Sequence, residues 1–258
     1  MDCSDLALTT VSFSAKTMSS VVFRAATLED CVFSNTNLES CDFEGATLES
    51  VHFENCNLAS ANFSKAKLRN VTFKDCSVAA ANFSQADFTE QRIAGIDLRN
   101  GDLVQARLEM ADLSDQDLSG CSLRRAIVSG ADLGQAQLLH ADLSGVVAIS
   151  CHAANANFGW AKLRNANFSY ADLSGANLGA AELQGATFLD GDLRGANVEG
   201  ANIANASFQS ANLEGARLSH EVDAQSTCFF NARLEGTSLA NSGLNRRQPD
   251  WLRYYDHE

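Results

Sequence analysis

A solenoid is the fold class this sequence predicts, and two observations predict it. Every fifth residue from Leu8 to Leu218 is apolar. Of these 43 positions, 41 are Leu, Phe, Ile, Val or Met, and the exceptions are Ala148 and Ala153. Two residues before each runs a second series of small residues, from Leu6 to Ala216, holding 24 alanines and six of the eight cysteines. Period five matches neither the 3.6 of a helix nor the 2 of a strand. A short repeat sustained this long means that no unit buries its apolar face alone, so each must stack on its neighbours.

Stretches such as ADLSGANLGAAELQGA, Ala171 to Ala186, read as A-(D/N)-L-x-x, with some 47 copies along the chain. This motif resembles that of the pentapeptide-repeat family, and the resemblance covers nearly the whole chain. It implies an all-β fold, a right-handed quadrilateral parallel β-helix with four pentapeptides per coil. The central Leu/Phe and the Ala/Cys two before it would point inward, and the other three positions would face solvent. Phe13, Phe23, Phe33, Phe43, Phe53, Phe63, Phe73 and Phe83 recur every ten residues, with Leu, Met or Val between them. In a twenty-residue coil these rings fall in columns on two opposite sides. At the ~4.8 Å spacing of strands, about twelve coils would make a rod of roughly 55 Å.

Residues 1–245 read as one repeat domain. Almost nothing precedes Leu8 to cap that end, which is therefore frayed or docked. Gln91 and Gln116 place an amide in the small inward slot, where it must find backbone partners or widen the coil. Between Val146 and Ala154 both central residues shrink to alanine, so either Val147 or Ile149 swings inward through a bulge, or the coil thins and kinks. After Leu218 the register advances by one residue, with a bulge or loop over 219–226, and resumes at Phe229, Leu234, Leu239 and Leu244. The tail, 246–258, is non-repetitive, and Pro249-Asp250 would start a short helix. Its Trp251, Leu252, Tyr254 and Tyr255 would cover the open end of the β-helix, whose strand edges need a cap. Alternatively, the resemblance to quinolone-resistance (Qnr-type) members implies a homodimer joined through these C-terminal ends.

Composition narrows the function classes. The lone proline, Pro249, lies outside the repeats, as a ladder of backbone donors requires. No run approaches the ~20 apolar residues of a membrane span, and no signal-like apolar segment opens the chain. The expected compartment is the bacterial cytoplasm, with a secreted effector or secretion accessory exported without a signal as a further class. Cys31, Cys41, Cys56, Cys76, Cys121 and Cys151 are spaced by multiples of five and read as core fillers, without metal or disulfide spacing. The five histidines form no ligand-spaced pair, and no nucleophile elbow, P-loop or dinucleotide motif occurs. No enzyme, metal or cofactor is expected.

Function then sits on outward residues. Aspartate and asparagine, ten of each in the main register, crowd the position before the central apolar residue, where Asx side chains bond nearby backbone. Asp112, Asp132, Asp172 and Asp192 should line one side, interrupted by His152. A second acidic zone is formed by Glu29, Asp30, Glu39, Asp42, Glu44, Glu49 and Glu54. The run Lys65, Lys67, Arg69 and Lys74 reads as a solvated face that offsets nearby acids. A net charge of −13 disfavours direct nucleic-acid binding. The outward residues Met110, Ile127, Val147, Ile149, Trp160, Tyr170 and Leu189 form a candidate apolar interface. The leading expectation is a non-catalytic scaffold for a protein partner. The alternative, implied by the Qnr-type resemblance, is a DNA mimic acting on DNA gyrase through the acidic column. The long loops of many Qnr-type members are absent from this sequence.

Overall fold

The computed structural model describes residues 1–93, 96–218, 226–240 and 246. In it the residue before a central apolar position pairs in parallel with its counterpart twenty residues on, from Asp2 with Val22 to Asn197 with Arg217, except at Thr72–Arg92, Ser77–Asp97 and Asp97–Asp117. Four pentapeptides therefore close one coil, and each coil hydrogen-bonds to the next.

Eight three-residue strands open the chain: β1 (Ala7–Thr9), β2 (Ser12–Ser14), β3 (Thr27–Glu29), β4 (Val32–Ser34), β5 (Thr47–Glu49), β6 (His52–Glu54), β7 (Lys67–Arg69) and β8 (Thr72–Lys74). They form two four-stranded parallel sheets, β1-β3-β5-β7 and β2-β4-β6-β8. This corrects the expected fold class in two ways. Regular strands do not run through about twelve coils; they end at Lys74, after three inter-coil steps, and single-residue bridges join the later coils. Nor does a short helical tail appear: there is no α-helix among the described residues. Trp251, Leu252, Tyr254 and Tyr255 lie outside those residues. Among the described residues, no helix is long and apolar enough to cross a membrane.

The strands stop because the corners change. On the strand-bearing sides the later corners close with a tight backbone bond, as in Gln91 N–H to Phe88 O (3.0 Å) and Ala111 N–H to Leu108 O (3.1 Å), which the other two sides carry from the early coils on, as in Cys41 N–H to Leu38 O (3.1 Å). These turns take up the flanking residues and leave a single extended residue per side. At the corners after β1, β3, β5 and β7, and after β2, β4, β6 and β8, no such bond is found among the described residues. Two corner geometries cannot stack in register, and the mismatch falls between β8 and the next coil. No backbone hydrogen bond joins Asn70–Lys74 to Glu90–Ile93 among the described residues. Instead the Val71 N–H donates to Gln91 Oε1 (3.2 Å). A cavity of about 10 Å³ lies here, lined in part by Leu68, Val71, Phe73, Phe88, Gln91 and Ile93. Gln91 thus finds a backbone partner where the coil has widened; beside Gln116 the pairing is regular toward the following coil, Asp117 with Gln137, but no Asp97–Asp117 pairing is found among the described residues.

The phenylalanine columns form as the ten-residue recurrence requires. Phe23, Phe43, Phe63 and Phe83 stack with ring centroids 4.8–5.0 Å apart, and Phe13, Phe33, Phe53 and Phe73 make a second column at 4.7–5.2 Å. The columns meet edge to face, as in Phe43–Phe53 at 82°. Both geometries suit the ring quadrupole and add ~0.5–1.5 kcal/mol per pair beyond area burial.

The expected distortion at Ala148 and Ala153 is absent. Both are fully buried, and the ladder runs through them, with Ala148 N–H to Asn167 O and Ala153 N–H to Asp172 O both 2.7 Å. The volumes have been exchanged: Val146 and Cys151, larger than the usual alanine, fill the slots two residues earlier and are buried. Val147 and Ile149 therefore stay outside. Beyond Leu218 the pairing step becomes twenty-one, Ser207 with Cys228 and Asn212 with Arg233, which matches the one-residue advance in the sequence.

Candidate functional site

Each pentapeptide ends its side at a corner residue with φ near +50° to +70°. Glycine takes this left-handed conformation freely, whereas a bulky side chain is uncommon there. Met110 (φ 59°), Trp160 (φ 58°) and Tyr170 (φ 61°) all occupy it, and these residues are 63%, 63% and 57% exposed. Met110 lies over the glycine of the following coil: a Cβ at Gly130 would collide with its Sδ.

The apolar residues expected to act together divide into two groups. Ile127 and Val147 are bridged neighbours on the side built on Ala148, both half-buried, with Ile149 beside them and exposed. Leu189 lies further along that side, half-buried. Met110 and Tyr170 stand at the corner where this side turns into the one built on Ala153. Trp160 is not with them. It lies two corners away, beside His140 (ring centroids 6.3 Å), and Leu139 is exposed on the same side of the coil before it.

The acidic column runs on the Ala153 side, through Asp112–Asp132, Asp132–His152, His152–Asp172 and Asp172–Asp192 pairings. Each carboxylate turns one oxygen back to its own corner: Oδ1 accepts the N–H of Ser114, Gly134, Ser174 and Arg194, respectively. The second oxygens differ. Asp112 Oδ2 faces Arg92 (3.5 Å) and Asp192 Oδ2 holds Arg194 (2.6 Å). The Ser114 hydroxyl, above all, holds the Asp112 carboxyl below its ordinary range, and the Arg194 guanidinium does the same for Asp192. Asp132 and Asp172 make no ion pair among the described residues. The column thus carries ion pairs at both ends and none at its middle, where Asp172 feels Arg194 only at longer range.

Elsewhere charges pair between coils. Lys65 binds Glu44 (2.8 Å), Lys74 binds Glu54 (2.7 Å) and Arg24 binds Asp42 (2.5 Å), so the basic run offsets the N-terminal acids. Lys67 and Arg69 line a polar surface groove of about 370 Å³ with Asp87, Thr89, Glu90 and Gln91.

Two features escaped the sequence reading. The inward cysteines are donors as well as fillers. Cys41 Sγ reaches Met18 O (3.0 Å), Cys56 Sγ reaches Phe33 O (3.3 Å) and Cys121 Sγ reaches Leu98 O (2.6 Å), always twenty-three residues back. Thr36 bonds Phe13 O by the same offset (3.2 Å), and that shared geometry was the available signal. Burial raises the thiols of Cys41 and Cys121 to about 11 and that of Cys151 to about 12, which removes them as nucleophiles. The second feature is an amide ladder, Asn157–Asn177–Asn197, with Nδ2 to Oδ1 distances of 2.9 and 3.0 Å. Among the described residues, no group of three or more His, Cys, Asp or Glu is placed to hold a metal ion.

Coils of four five-residue sides, filled by two inward series and joined by parallel pairing, define a β-solenoid of pentapeptide repeats. The pentapeptide repeat region family matches residues 6–83 and 141–218, and a family of eight pentapeptide repeats matches 81–115 and 117–147. The chain belongs to the pentapeptide-repeat family. No curated protein matches it. Among solved structures it is similar to HetL, a pentapeptide repeat protein involved in heterocyst differentiation regulation from the cyanobacterium Nostoc sp. strain PCC 7120, with 23% identity, 93% of this chain and 92% of that chain covered, and a TM-score of 0.38. It is also similar to full-length QnrB1, a plasmid-mediated fluoroquinolone resistance protein, with 24% identity, 81% and 93% covered, and a TM-score of 0.37. A pentapeptide repeat protein of the Arabidopsis thaliana thylakoid lumen shares 31% identity over 42% of this chain and 71% of its own, with a TM-score of 0.17.

Proposed function

We propose that this protein is a non-catalytic scaffold that holds a protein partner against one side of its rod, in the bacterial cytoplasm. The observation that carries the reading is the outward pair Ile127–Val147, bridged in adjacent coils, with Ile149 and Tyr170 exposed alongside. Apolar side chains grouped on the flat wall of a rigid solenoid expose surface that a partner would bury. Nothing in the core needs them there, since the inward series is already complete. The test is the double substitution Ile127→Lys, Val147→Lys, followed by partner capture and measurement of the oligomeric state. Loss of one bound species supports the reading, and an unchanged interaction profile removes it.

DNA mimicry toward gyrase is the second reading, favoured by the net charge of −13. It ranks lower because Arg92 and Arg194 balance two of the four aspartates of the column, while duplex DNA carries a charge every ~1.7 Å. A supercoiling assay with and without a fluoroquinolone tests it. Inhibition that disappears on charge reversal of Asp112, Asp132, Asp172 and Asp192 would support mimicry.

A further inference from the structure

The middle of the acidic column and the apolar stripe occupy the same three coils, on sides that share a corner. Ile127 is followed five residues on by Asp132, Val147 by His152 and Asn167 by Asp172, with Tyr170 at the corner between the last two. We propose that this corner docks a cationic amphipathic helix lying along the rod, its apolar ridge on Ile127, Val147, Ile149 and Tyr170 and its basic edge over Asp132 and Asp172. The proposal rests on the scaffold reading and names the partner's chemistry.

Three observations select a helix of this kind. The first is backbone satisfaction. Ile127 N–H bonds Ala106 O (3.0 Å), Val128 N–H bonds Val147 O (2.8 Å), Val147 N–H bonds Ala126 O (3.0 Å) and Asn167 N–H bonds Val146 O (2.9 Å). The wall has no open edge on which a strand could be added, so recognition must come from side chains. The second is spacing. Coils repeat every ~4.8 Å and a helix turns every ~5.4 Å. One ridge residue per turn then stays within about 1 Å of one coil across three coils. The third is sign. Asp132 and Asp172 border one flank of the stripe, while on the other flank Arg124 and Arg125 at the preceding corner, which make no ion pair among the described residues, and Lys162 outnumber the single acid, Asp142. Opposite charges on the two flanks fix which edge of the helix is basic and hence how it lies.

The test uses the full chain and a labelled synthetic Leu/Lys amphipathic helix of about 18 residues, or five turns, with binding followed by fluorescence anisotropy. Two control peptides are a scrambled isomer of the same composition and a Leu/Glu helix of reversed charge. Binding of the Leu/Lys helix should be at least about tenfold tighter than either, and a tenfold loss corresponds to about 1.4 kcal/mol. The double variant Asp132→Asn, Asp172→Asn should lose about tenfold and most of the salt dependence. Asparagine keeps the Oδ1 that caps the Gly134 and Ser174 N–H groups, so the corner stays folded. Ile127→Ser with Val147→Ser should lose at least as much, while Trp160→Ser, two corners away, should bind as the parent does. Equal binding of the scrambled peptide, or indifference to both the aspartate and the apolar substitutions, overturns the proposal. If the apolar variant loses binding and the aspartate variant does not, the cationic helix is rejected and the scaffold reading stands.

Discussion

Gln91 Oε1 accepts the backbone N–H of Val71 at 3.2 Å, and at that point a side chain does the work that main chain does elsewhere in the rod. The coil below has wide corners after β7 and β8, whereas the coil above closes the corner after Phe88 tightly, so their backbones part on this side and the amide spans the interval. Gln91→Leu preserves size and removes the acceptor. It should cost about 1–3 kcal/mol, the penalty for stranding a buried donor. Denaturant unfolding gives the loss, and faster hydrogen exchange at the Val71 amide would locate it.

Phe53 stacks on Phe33 (5.0 Å) and Phe73 (5.2 Å) and meets Phe43 and Phe63 edge to face. Phe53→Ala should lower stability by about 3–5 kcal/mol, because a column fixed at both ends cannot collapse into the space left. Phe53→Leu should cost clearly less, and a calorimetric comparison of the two would measure how rigid the column is.

If the inward cysteines matter only as fillers, Cys121→Val should be the gentler change and Cys121→Ser the harsher. The bond from Cys121 Sγ to Leu98 O argues for the opposite order. Serine keeps a donor for that carbonyl and valine does not, so valine should be worse by about 1 kcal/mol. Thermal melting of both variants decides it.

Asp112 and Asp192 have carboxyl groups held below the ordinary value by Ser114 and Arg194. A depressed folded-state pKa contributes stability above the unfolded value, about 3.9, and loses it as pH falls through the folded value. The protein should therefore weaken as pH drops below about 4. With Asp112→Asn, whose amide does not titrate, the acid limb of a stability–pH curve should be shallower.

Where the fold could be read ahead of the structure, the reason is that five-residue spacing and inward residue type are set directly by stacking. The phenylalanine columns and the one-residue advance after Leu218 follow from position alone. Corner geometry was less visible, because the same inward residue types stand at both kinds of corner: valine and cysteine occur at wide ones and, as Val21, Cys41 and Cys121, at tight ones. Val11, Cys31, Val51 and Val71 mark one wide corner and Lys16, Thr36, Cys56 and Cys76 the next, where later coils place mainly alanine. The distortion expected at Ala148 failed to appear because Val146 and Cys151 were counted in one inward series and the alanines in the other, although both fill the same space. The acidic column was legible as a row of aspartates. Its charge was not, since Arg194 acts from two residues beyond Asp192 and Arg92 from the coil below Asp112.

The twenty-one-residue step from Ser207 to Cys228 leaves Phe208 and Phe229 stacked at 5.3 Å. A residue gained between coils is thus absorbed without disturbing the alignment of the rings. Such a chain can lengthen by duplicating a coil and tolerate an imperfect copy at the join. Each added coil would move the two ends apart by a fixed increment and leave the bearing of every wall unchanged. A rod of this type is a ruler, and the distance between whatever binds at one coil and whatever binds at another is written in its number of repeats.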